Sequence, residues 1–163
     1  AALFAGFRFA EWHYHAFRVA FYELDGSPPG IDAAIFQPNK PEDQTLDLVI
    51  VNPTDSWAFI QMLIDGDHAT AELYGTPVEY ETEVNPPKIG NPIPPPAPVT
   101  KVVTTMAKGE REMFEPARPG YDVYTTRRFV RGSETLEEQT FASFYRPQPE
   151  MWLVGPDTKT PME

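Results

Sequence analysis

The sequence predicts a mainly β protein of the α+β class, built as two modules joined by a proline-rich spacer. Three observations carry this. Proline is abundant, 19 of 163 residues, and it gathers in clusters and at the ends of apolar runs, where it favours turns over a helical bundle. Short runs of β-branched and aromatic residues recur, several with alternating polarity. One run of good helix formers, Ala1-Ala2-Leu3-Phe4-Ala5 closed by Gly6, supplies the helical component.

That opening run is read as the last turn and C-cap of a helix whose start lies upstream of the sequence, because so short a helix cannot nucleate alone. Strands are expected at Phe17 to Glu23, Ala33 to Phe36 and Leu46 to Val51. Trp57 to Ile64 and His68 to Tyr74 flank Asp65-Gly66-Asp67, and an Asp-Gly between two such runs signals a β-hairpin. Residues 1–84 thus form the first module. Asn85 to Pro98 is half proline, so it is expected as a semi-rigid spacer or a strap over a surface. Residues 99–156 form the second module, with strands at Val99 to Met106, Tyr121 to Val130 and Glu134 to Ala142. These are polar on both faces and punctuated by Gly109, Gly120, Gly132 and Gly155, which suggests an elongated antiparallel sheet with a slight core. Residues 157–163 read as a flexible tail.

Charge divides the chain in the same place. Residues 1–84 carry 14 Asp and Glu against Arg8, Arg18 and Lys40, a net of −11, whereas residues 85–163 carry 10 of each sign. An acidic first half is repelled by phosphate backbones and anionic lipid, which argues against nucleic acid and membrane surfaces as partners. No apolar run approaches the roughly 20 residues of a membrane helix, so no membrane insertion by this chain is expected. The absence of cysteine excludes a disulfide framework, a thiolate metal site and a thiol nucleophile within these residues. Asn52-Pro53-Thr54 is no glycosylation acceptor, since proline fills its middle position.

The opening run, then Glu11-Trp12-His13-Tyr14-His15-Ala16-Phe17-Arg18-Val19 and Pro28-Pro29-Gly30-Ile31-Asp32-Ala33, resembles the C-terminal half of the VanW family of bacterial cell-envelope proteins. Leu46-Asp47-Leu48, Asn52-Pro53-Thr54, Asp65-Gly66 and Leu73-Tyr74-Gly75-Thr76 follow in the same order. The resemblance implies an upstream glycine-rich turn and a cysteine opening the helix whose tail is residues 1–6. The second module, with Lys108-Gly109, Pro119-Gly120, Gly132, Ser143-Phe144-Tyr145-Arg146-Pro147 and Val154-Gly155-Pro156, is similar to the five-glycine surface module that often follows VanW regions. That likeness implies an extended, glycine-kinked ribbon on a bacterial surface, associated with adhesion and cell-wall sugars.

Two of the three histidines, His13 and His15, lie close in sequence to Asp32. With a cysteine at an upstream helix N-terminus they would complete a nucleophile, base and orienter in the order of transglutaminase and papain-like enzymes. Two residues apart on a strand, the imidazoles would share a face and could hold a metal with Asp32. The bland alternative is a half-buried strand whose rings bond to backbone carbonyls, with Asp32 closing a turn. Arg127, Arg128 and Arg131, with Tyr145, are candidates for gripping an anionic partner, including the acidic first half itself, against a default of a solvated strand face. Trp57, Phe59, Tyr145 and Trp152 are expected as core or spacer-packing aromatics rather than a sugar platform. His68 is expected to be exposed. The chain therefore reads as a binding or structural protein of the bacterial cell envelope, extracytoplasmic and without a cofactor. Cell-wall glycan, other envelope proteins and the missing upstream segment are the expected partners. The rival reading is the downstream part of a cysteine-dependent, peptidoglycan-modifying enzyme.

Overall fold

The computed structural model describes residues 2–19, 28–40 and 42–157. Every regular element among them is a strand: β1 (Arg8–Glu11), β2 (Val49–Val51), β3 (Phe59–Asp65), β4 (His68–Tyr74), β5 (Glu81–Val84), β6 (Lys88–Ile93), β7 (Val99–Val102), β8 (Arg111–Glu115), β9 (Gly120–Arg131), β10 (Glu134–Tyr145) and β11 (Met151–Val154). The expected α+β class is corrected to all-β for these residues. Ala2 to Gly6 forms turns, closed by Gly6 at φ 80°. The helix-forming residues there have too short a run for a helix of their own.

Contacts divide the chain into two units that interleave along the sequence. The first comprises Ala1–Tyr14, Gly30–Lys88 and Tyr124–Ala142, and the second His15–Pro29, Ile89–Val123 and Ser143–Glu163. In the first unit β1 pairs antiparallel with β2, β3 with β4, and β5 with the second half of β9. Its interior is organised around Arg127, which is only 1% exposed. The guanidinium stands 4.6 Å from the ring centre of Phe129, 5.0 Å from Phe9 and 5.4 Å from Phe141. Phe9 and Trp12 meet Phe141 edge-on, with centroids 5.5 and 5.4 Å away. Alternation puts Thr125, Arg127 and Phe129 on the buried face of β9, so a cation and a hydroxyl occupy what hydrophobicity alone would have assigned to aliphatic residues.

In the second unit β11 lies between β7, to which it is parallel, and β8, to which it is antiparallel. Tyr121, Val123 and Tyr145 form its buried cluster, the two tyrosines edge-on at 5.6 Å. Gly155 is fixed by space: a Cβ there would lie 1.9 Å from the Ala107 carbonyl oxygen. The expected spacer contains β6, which pairs with β9. Pro92 is tolerated because, among the described residues, β6 has a strand on one side only. Among the other expected strands, residues 17–19 are irregular and the remainder of Phe17 to Glu23 falls outside the described residues. Phe36 and Leu46 form an isolated bridge. Residues 158–163 of the expected tail are also outside the described residues.

Candidate interaction surface

The β3–β4 hairpin turns through Gly66-Asp67, with Gly66 at φ 61° in the first central position, where a two-residue hairpin turn calls for positive φ. Its register runs from Phe59 opposite Tyr74 to Asp65 opposite His68. Because side chains alternate between faces, Ile60, Met62 and Ile64 share one face with Ala69, Ala71 and Leu73. That face is wholly apolar. The other carries Phe59, Gln61, Leu63 and Asp65 with His68, Thr70, Glu72 and Tyr74.

Such a pattern normally marks a face packed against a core. Here it is open: Ile60 is 50% exposed, Met62 62% and Ile64 81%, and Trp57 just before the hairpin is 97% exposed. Among the described residues, neither outer edge of the hairpin pairs with another strand. Trp57 and Phe59, expected as packed aromatics, are corrected to exposed ones, because nothing in the described residues covers the two-stranded ribbon that carries them. His68 is exposed as expected, 3.6 Å from Asp67.

The charges on this region have one sign. No Lys or Arg occurs between Lys40 and Lys88, a stretch that holds Asp55, Asp65, Asp67 and Glu72 in and beside the hairpin. Glu72 accepts a hydrogen bond from the Tyr74 hydroxyl at 2.6 Å, and that bond, followed by the carboxylate's charge, holds the Tyr74 phenol above its ordinary value. At the foot of the hairpin lies a cavity of about 310 Å³ lined by Phe7, Asn52, Thr54, Leu73, Tyr74 and Thr76, among others. The Asn-Pro-Thr and Leu-Tyr-Gly-Thr motifs converge there. Asn52 Oδ1 accepts from the Thr54 backbone N–H at 3.0 Å and its Nδ2 donates to the Ser56 carbonyl at 2.6 Å, which fixes the turn leading into β3. Leu73 belongs both to the apolar face and to the cavity wall.

The arginines expected as grips are internal to the first unit. Arg127 donates to the Phe7 carbonyl at 2.7 Å and to Gln139, and burial lowers its pKa below the ordinary guanidinium value. Arg128 pairs with Glu83 across the β9–β5 ladder at 3.0 Å. Arg131 donates to the Glu79 carbonyl at 3.1 Å. Arg128 and Arg131 thus meet carboxylates of the acidic first half, Glu83 and Glu79, whereas Arg127 meets neutral groups. Tyr145, in the second unit, is buried against Tyr121.

His13 falls in the first unit and His15 in the second, and β1 ends at Glu11, so no strand underlies the shared-face argument for the two imidazoles. His13 Nε2 is 2.7 Å from Glu11 Oε1, and its backbone carbonyl accepts from the Ala34 N–H, also at 2.7 Å. Its carboxylate neighbour is therefore Glu11, a residue the sequence reading passed over. The hydrogen bond from His13 holds the Glu11 carboxyl below its ordinary pKa. Asp32 is half-buried in the first unit. Among the described residues no group of three His, Asp or Glu side chains is placed to hold a metal ion. No helix among them is long and apolar enough to cross a membrane.

No family model matches the chain and no curated protein matches it, so the VanW resemblance rests on its own short motifs. Two solved structures are similar to about half of it. One is described as the crystal structure of HP0197-G5, with 10% identity over 48% of this chain and 100% of that one, at a TM-score of 0.23. The other is an IgA1 protease G5 domain structure, with 17% identity over 50% of this chain and 96% of that one, at a TM-score of 0.28. Both are described as G5 domains.

Proposed function

We propose that the chain is a binding or structural part of a bacterial cell-envelope protein, in which a VanW-like first module offers a docking surface and a five-glycine-like module extends it. The observation that carries this is the apolar face of the β3–β4 hairpin, which stands open beside a cavity built by two of the VanW-like motifs. Burying Ile60, Met62 and Ile64 from their present exposure is favourable by roughly 1–2 kcal/mol each, a gain a partner can collect. Cell-wall glycan and other envelope proteins are the proposed partners, and the proposed location is extracytoplasmic. Fractionation of cells producing the protein tests this. Recovery with the envelope, unchanged by His13→Ala or His15→Ala, supports the reading, and recovery with the soluble cytoplasmic fraction refutes it.

A second reading has one observation in its favour. His13 sits against a carboxylate at 2.7 Å, the base and orienter arrangement of a thiol enzyme whose cysteine would come from an upstream segment. Glu11 is the carboxylate that His13 meets in this arrangement. Amide hydrolysis or transfer by the full-length protein that His13→Ala abolishes, with the fold intact, would establish it over the first.

A further inference from the structure

We infer that the β3–β4 hairpin receives a segment of another protein that is apolar at its centre and rimmed by lysine or arginine. This rests on the reading of the chain as a binding module and names its partner by chemistry. Two features select that occupant. The face formed by Ile60, Met62, Ile64, Ala69, Ala71 and Leu73 has no polar side chain to reward a hydrophilic ligand, and the unpaired hairpin edges offer backbone groups to an added strand. The stretch of chain that carries that face holds no basic residue: Asp55 precedes the hairpin, Asp67 stands at its turn, and Asp65 and Glu72 lie on its other face. The chain's own arginines that do reach this stretch, Arg128 and Arg131, are engaged at Glu83 and Glu79 on and beside β5, away from the hairpin.

The same charges argue against the other occupants. A second copy would bring the same acidic stretch, with no basic residue to complement it. An anionic bilayer is repelled for the same reason. A basic rim on the partner turns that repulsion into complementarity, which speeds encounter and selects the partner, while the apolar centre supplies the affinity.

The test uses the whole chain and two synthetic peptides with a common Val-Ile-Val-Ile-Val centre, one with two lysines at each end and one with two glutamates. Binding is followed by amide NMR shifts. The lysine-rimmed peptide is expected to shift amides of residues 59–74, to bind at least tenfold more tightly than the glutamate-rimmed one, and to weaken as salt rises. The triple variant I60T/M62T/I64T is expected to keep the melting temperature and lose at least tenfold in affinity, while Asp65→Asn with Asp67→Asn lowers the salt dependence. Equal binding of both peptides, shifts outside the hairpin, or concentration-dependent self-association through residues 59–74 would each overturn the inference. Envelope recovery that survives the triple variant, with no peptide binding, would overturn this inference and leave the proposed function standing. Peptide binding by a chain found in the cytoplasm would do the reverse.

Discussion

Replacing Arg127 by methionine tests the account of the first unit most sharply. The guanidinium donates to the Phe7 carbonyl at 2.7 Å and to Gln139, and three aromatic rings surround it. Methionine preserves much of the volume and deletes the charge. The hydrogen bonds from this charged donor to Phe7 and Gln139 are lost, each worth roughly 1.5–3 kcal/mol, with a longer one to the Leu3 carbonyl at 3.4 Å, and the ring contacts add about 1–2 kcal/mol. Against this, removing a desolvated charge returns several kcal/mol, which is why buried charges replaced together with their partners often leave stability unchanged. Here the partners stay behind, since the half-buried Phe7 carbonyl and Gln139 amide lose this donor, so the net loss should be about 2–3 kcal/mol. Urea unfolding followed by Trp12 fluorescence in a W57F/W152F background reports on this unit, because Trp12 packs on Phe141. Arg127→Met should lower the midpoint with an unchanged slope, Arg127→Lys should lose less, and Gln139→Leu should recover part of the loss in the methionine background. A midpoint that stays or rises on Arg127→Met would refute the idea that a cation organises this core.

Other expectations follow from single contacts. Gly155→Ala should destabilise the second unit by about 3 kcal/mol or more, since a backbone carbonyl 1.9 Å from the new Cβ has to move, and thermal melting reads it. Glu83→Gln should cost less than about 1 kcal/mol, because the pair with Arg128 is partly solvent-screened, and a double-mutant cycle measures the coupling. The Tyr74 phenol should titrate above 10.0 by ultraviolet absorbance and fall back on Glu72→Gln. Glu11 has a lowered folded-state pKa, so its pairing with His13 contributes above the ordinary carboxylate value and is lost as pH falls through the lowered one. Its carboxyl NMR titration should return to the ordinary range on His13→Ala.

Some of this was written plainly in the residues. Asp65-Gly66-Asp67 between two β-favouring runs specified the hairpin, and β4 begins and ends where alternation placed it, at His68 and Tyr74. The β-favouring run Tyr121 to Val130 marked β9. Strands β1, β5, β8 and β11 were missed because each is short, and β8 carries Arg111, Glu112 and Glu115, which have weak strand propensity and gain their place by pairing with β11. The proline-rich run concealed β6, since an edge position removes the penalty that excludes proline from a sheet interior. The apolar face of the hairpin was legible in principle from Ile60, Met62, Ile64, Ala69 and Ala71, but alternation says which residues share a side and not whether anything covers it. Arg127 could not be read as buried, because a solvated strand face and an aromatic cage leave the same local pattern.

Methionine oxidation at Met62 offers the most direct measurement of the central claim. The purified chain and intact cells producing the full-length protein are treated with the same low dose of peroxide, and the Met62 sulfoxide is quantified by peptide mass spectrometry. With the side chain 62% exposed on an open face, Met62 should oxidise readily in the purified chain and be strongly protected in the envelope, where a partner covers the hairpin. Equal oxidation in both settings would contradict the account.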